Sequence, residues 1–138
     1  MVKNVLWFLT IATAFFLLSG CADGEDKEEE FQESAEEKAN VIFAEEFIMF
    51  ISEDRYERAT EYLDESVKEE YPASELENIW SSFEERLGSF VNQNYESMEK
   101  DNDQDVITII GEFEDGEIKF QIAVNQNEKI SQFTYENE

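Results

Sequence analysis

The chain has no histidine, one cysteine and few basic residues, and each shortage removes a class of function. Histidine is the side chain that changes charge near neutral pH and the usual base beside a nucleophile, so the common Ser–His and Cys–His machinery is excluded. Without imidazole, and with a lone thiol, the usual zinc ligand sets are missing too. One cysteine cannot form an internal disulfide framework. The five glycines are scattered singly, so no glycine-rich loop cradles a phosphate. Ten Lys and Arg face 35 Asp and Glu, a formal net charge of −25. That field repels nucleic-acid phosphates and anionic lipid headgroups, which excludes nucleic acid as a partner. Such a surface suits saline or alkaline surroundings, where salt screens its self-repulsion. No internal repeat is present.

What remains is enough for one domain. The 138 residues are 41% apolar with twelve Phe, material for a real core. Part of that content lies in residues 1–20, where a short leader bearing Lys3 precedes an apolar stretch over residues 5–18. Fourteen helical residues span about 21 Å, short of the ~30 Å hydrocarbon core. A charged start, a short apolar region and then small residues form the layout of a secretory signal.

The segment ends Leu18-Ser19-Gly20-Cys21. It resembles the lipobox of bacterial lipoproteins, in which a branched apolar residue and two small ones precede an invariant cysteine. The resemblance implies lipidation of the Cys21 thiol and cleavage between Gly20 and Cys21. Two acyl chains, palmitate-like in length, would then hold the protein on the outer face of the bacterial cytoplasmic membrane. The bland alternative is an uncleaved anchor with an incidental thiol. Loss of residues 1–20 leaves nine basic and 35 acidic residues, a net charge of −26. Residues 21–33 are expected to be a disordered acidic tether, extended by its own charge, and residues 34–138 the folded domain.

Ser34 and Glu37 have the form of a capping box, and Ala39, Ile42, Phe43, Phe47, Phe50 and Ile51 follow at helical spacing. Val41, Ile48 and Met49 widen that face. Ser52 is placed to cap a second helix carrying Tyr56, Ala59, Leu63 and Val67, with a break near Asp64, and Pro72 ends it. A box at Ser74 and Glu77 opens a third helix with Leu76, Ile79, Trp80, Phe83 and Leu87 on one face, closed by a left-handed Gly88. Beyond Gly88 the period changes to two. Strands are expected over residues 90–98, 106–113 (with a bulge at Gly111), 118–124 and 130–135, with turns at Asp115-Gly116 and over 125–128. Three helices ahead of a four-stranded antiparallel meander make an α+β fold.

The helix order, with Leu76…Trp80-x-x-Phe83-x-x-x-x-Gly88-x-Phe90, resembles the cone-shaped, cystatin-like fold of nuclear transport factor two and the SnoaL-like cyclases. It is most similar to a bacterial branch of that fold found in secreted proteins and lipoproteins of Gram-positive bacteria. The resemblance covers residues 36–136 and implies a curved sheet wrapped around a helix, with no particular activity.

Candidate sites are few. Trp80, Phe83, Tyr95 and Phe120 are the candidates to line a cavity for an apolar ligand, although as helical and strand core they need no ligand, and core is the favoured reading. Asp101, Asp103, Asp105 and Glu112 nearly match a calcium loop. Val106 stands where that loop needs glycine, and the following residues read as strand, so a polar turn is expected and no metal is assigned. Tyr56, Tyr62, Tyr71 and Tyr95 accompany abundant acids, but spacing singles out no catalytic pair. The expected function is a membrane-anchored, non-catalytic binding module for a small apolar ligand, a peptide or an envelope protein, with no cofactor. A His-free isomerase-like enzyme using a buried carboxylate is the alternative, and a homodimer acting through its outer sheet face is a third.

Overall fold

A computed structural model describes the backbone over residues 23–137 and side chains from residue 34. The signal segment and the Leu18-Ser19-Gly20-Cys21 box lie outside the described residues. Among the described residues the elements run α1 (Asp23–Ser52), α2 (Tyr56–Thr60), α3 (Glu65–Glu70), α4 (Ala73–Leu87), β1 (Phe90–Asp101), β2 (Gln104–Phe113), β3 (Gly116–Val124) and β4 (Ile130–Asn137). The strands form one antiparallel sheet in the order β1-β2-β3-β4. The α+β order and the meander are as expected. The helix count differs, because the second predicted helix is divided in two.

Helix α1 begins at Asp23, ahead of the Ser34 box, so residues 23–33 are helical and not the expected disordered tether. The physical reason is local: residues 25–33 hold five Glu with one Lys and one Gln, all good helix formers, with no proline to stop them. Ala44, Phe47, Ile48 and Ile51 supply its buried stripe. Ile42, expected in that stripe, is 55% exposed. The helix is rotated so that the small Ala44 faces inward.

Ser52 closes α1 instead of capping the next helix, its Oγ donating to the Met49 carbonyl at 2.8 Å. The chain reverses through Asp54, at φ 60°, into α2. The break foreseen near Asp64 has a specific cause. The Asp64 carboxylate accepts from the Val67 amide at 3.0 Å and caps α3. Just before it, Leu63 makes a parallel bridge to Ile130. The Asp64 amide donates to the Ile130 carbonyl, and the Ile130 amide to that of Tyr62. Pairing with β4 thus interrupts the helical ladder. Helix α4 starts at Ala73 directly after Pro72, one residue ahead of the Ser74 box. Proline suits a helix start, where the amide it lacks has no intrahelical partner.

On the sheet, Ile107, Ile122 and Phe133 share one cross-strand row, and Ile109, Phe120 and Tyr135 the next. With Leu76, Ile79, Trp80 and Phe83 of α4 and the α1 stripe they make one core. The outer face carries Asn94, Ser97, Thr108, Lys119 and Gln121, as the alternation along β3 predicts. The bulge expected at Gly111 is absent: that residue pairs regularly with Gln93 and Ile118. Besides one between Ala123 and Val124 in the pairing of β3 with β4, register shifts fall in β1, between Phe90 and Asn92 and between Tyr95 and Ser97. They let Phe90, Gln93, Tyr95 and Met98, spaced by three, two and three, register with Phe113, Gly111, Ile109 and Ile107 of the inward-facing rows.

Candidate functional site

The aromatic set proposed to line a cavity separates in the structure. Trp80 and Phe83 are 1% exposed and Phe120 is fully buried, whereas Tyr95 is 46% exposed. The three buried rings touch one another, with centroids 6.1 Å apart for each pair. Phe90 and Phe113 close on Trp80 at 5.2 and 5.4 Å, and Phe133 stacks on Phe120. Edge-on and offset contacts of this kind fill space and add to burial. These rings are occupied by each other. Two polar atoms are left over among the described residues: Trp80 Nε1 and Gln93 Oε1 are buried without a hydrogen-bond partner.

Tyr95 belongs to a different feature. With Val41, Ile42, Met98 and the Ser34–Glu37–Lys38 rim it lines a groove of about 390 Å³ between α1 and the edge strand β1. Gln93 reaches across beside it, Nε2 donating to the Glu45 carbonyl at 3.0 Å. No periodicity or motif signals this groove, because it needs α1 and β1 side by side in a rotation that leaves Ile42 outward.

A second concavity, of about 480 Å³, is polar and lies where α1 passes the β3–β4 turn, lined by Glu36, Asn40, Asn125 and Asn127 among others. Asn40 Nδ2 donates to Asp105 Oδ2 at 2.8 Å, tying α1 to the start of β2. The Asn125 side-chain Oδ1 accepts from the Asn127 and Lys129 amides, which fixes the turn.

The calcium-loop-like run is a hairpin. Asn102 and Asp103, both at positive φ, connect the paired Asp101 and Gln104. Two such residues match the twist of the flanking strands. Glu112 stands seven strand residues beyond Asp105, about 23 Å away along β2, and accepts from Asn94 Nδ2 at 2.7 Å. Among the described residues no group of three or more Asp, Glu, Cys or His is placed to hold a metal ion. Nor is any helix long and apolar enough to cross a membrane.

Three tyrosines do pair with acids. Tyr56 donates to Asp54 Oδ1 at 2.9 Å and Tyr62 to Glu46 Oε2 at 2.8 Å. Partial burial, then the neighbouring carboxylates, push the Tyr56 and Tyr62 hydroxyls up from the usual phenol range. Burial and Glu70 do the same for Tyr71. A raised hydroxyl holds its proton, so these are hydrogen-bond donors and not bases. The polar residues buried as a whole, among the described residues, are Thr60 and Thr108.

A family model described as a protein of unknown function (DUF3887) matches residues 44–133. Comparison with curated proteins and with solved structures found no match. Among the described residues the matched span runs from the first buried residue, Ala44, to the last, Phe133, so it covers the packed core. The chain belongs to the DUF3887 family.

Proposed function

We propose that this protein is a lipid-anchored, externally displayed interaction module on a cone-like, SnoaL-related fold, which recognises a peptide or protein partner on its surface and has no catalytic role. The observation that carries the reading is the mutual contact of Trp80, Phe83 and Phe120, which fills the space a small apolar ligand would need. The isomerase alternative requires a buried carboxylate, and among the described residues the buried polar groups belong to Thr60, Thr108, Trp80 and Gln93. Dimerisation through the outer sheet face would have to bury Asn94, Lys119 and Gln121, which share that face with Val106, Ile110 and Ala123. The anchor rests on Leu18-Ser19-Gly20-Cys21.

The test has two readouts on cells making the full chain. Fatty-acid analogue is expected to label the protein, and Cys21→Ala to abolish both labelling and membrane retention; unchanged labelling would sink the anchor. Trp80 is the only tryptophan outside the signal segment, so its emission reports on the core. A saturable emission shift with small apolar ligands would replace surface recognition by a ligand cavity.

A further inference from the structure

The groove between α1 and β1 is an apolar concavity whose lining includes the exposed Ile42 and Tyr95, and its surroundings say what kind of partner fits. Ile42 and Met49 stand seven residues apart on one stripe of α1, two helical turns or roughly 10.5 Å, and are 55% and 36% exposed. Val91 and Tyr95 of β1, 62% and 46% exposed, cover roughly 13 Å of strand. The Gln93–Glu45 hydrogen bond joins the two elements midway between these pairs, with Tyr95 beside Ile42 at one end. The groove itself is lined on α1 from Ser34 to Ile42, with Met49 and Val91 outside its lining, so the strip is about 12 Å or two helical turns long.

Strand addition is not the way to fill it. The edge of β1 is interrupted by register shifts at both Val91 and Glu96, which break the row of main-chain groups a new strand would need. Side-chain anchoring by a helix suits a strip of this length, with apolar residues at i and i+7. The sign of the partner follows from charge. The chain carries 35 acids against ten bases, and residues 23–37, which lead α1 into the groove, hold nine acids against Lys27. A second copy would bring the same charge against itself.

We infer that the α1–β1 groove, around Ile42, Tyr95 and Met98, docks a cationic amphipathic helix. This rests on reading the chain as an interaction module and names its partner class. Apolar anchors of the partner cover Ile42 and Tyr95, while its Lys and Arg meet the acidic surface around the strip.

The experiment uses the full chain, purified from membranes and carried in phosphatidylcholine vesicles, with empty vesicles as the blank. A fluorescent Leu/Lys peptide patterned as an amphipathic helix of about 14 residues is titrated by anisotropy, against a Ser/Lys peptide of equal charge. The Leu/Lys peptide is expected to bind, and Ile42→Glu and Tyr95→Glu each to weaken it about tenfold. Both variants add negative charge, so attraction by charge alone would be kept or strengthened, and that result overturns the inference. Equal binding of the two peptides also overturns it, as does absence of binding. Dimers that Ile42→Glu abolishes would assign the groove to a second copy instead. Both substituted residues are exposed, and an unchanged unfolding temperature confirms that the variants fold. Fatty-acid labelling at Cys21 is untouched by any of these outcomes, so failure here leaves the anchored display standing.

Discussion

A Cβ at Gly111 would stand 2.6 Å from Cε2 of Phe120, so the ring occupies the place where any other residue on β2 would put its side chain. The aromatic core depends on that vacancy, because Phe120 is fully buried between Trp80, Phe83 and Phe133 and cannot swing aside. Gly111→Ala is expected to destabilise the fold by about 1–3 kcal/mol, the usual cost of overpacking. Denaturant unfolding measures it, and an unchanged midpoint would show that the ring yields freely.

Trp80 should tolerate one substitution well. Its indole N–H is buried without an acceptor, a standing cost of about 1–3 kcal/mol. Trp80→Phe removes that donor while losing some packing, so the two effects oppose. The net loss is expected to stay below about 1.5 kcal/mol, whereas Phe120→Ala should cost about 3–5 kcal/mol. Equal losses would mean that the N–H is satisfied after all.

The paired tyrosines set an alkaline limit. Tyr56, Tyr62 and Tyr71 have hydroxyls raised by burial and by nearby carboxylates. A group raised on folding contributes stability that is complete below its unfolded value, near pH 10, and is lost as pH climbs through the folded value. Thermal unfolding followed upward from pH 10 should therefore show falling stability from this source. Tyr62→Phe should flatten part of the slope, and a slope unaltered by the substitution would count against the Glu46 pairing.

Asp64 ends one pairing and begins another. Its carboxylate caps α3 and its amide is held by β4, so Asp64→Ala removes the cap and keeps the bridge. A loss of about 0.5–2 kcal/mol is expected, and Asp64→Asn should recover most of it. Failure of asparagine to rescue would point to charge, not capping, as the stabilising property.

Several elements were legible because their cause is local. The α4 stripe of Leu76, Ile79, Trp80 and Phe83 follows from helical spacing, and the four of them are buried as that spacing requires. The alternation of Ile118, Phe120 and Ile122 with Lys119 and Gln121 likewise names its own inward face. The replacement of a calcium loop by a turn was readable from Val106, which cannot take the place of a glycine. By contrast, α1 offers apolar residues on more than one side, and only contact with the sheet decided that Ala44 turns in and Ile42 out. Register also belongs to the tertiary level. A glycine in a strand pattern signals a bulge or a close approach, and at Gly111 the choice was made by the Phe120 ring on the neighbouring strand. Tyr95 shows the same division: its sequence neighbours make it a strand residue, but its exposure beside Ile42 comes from its place on the edge strand β1 next to α1. Periodicity determines which residues want to be buried, and packing against partners distant in sequence decides which of them are left at the surface to meet another molecule.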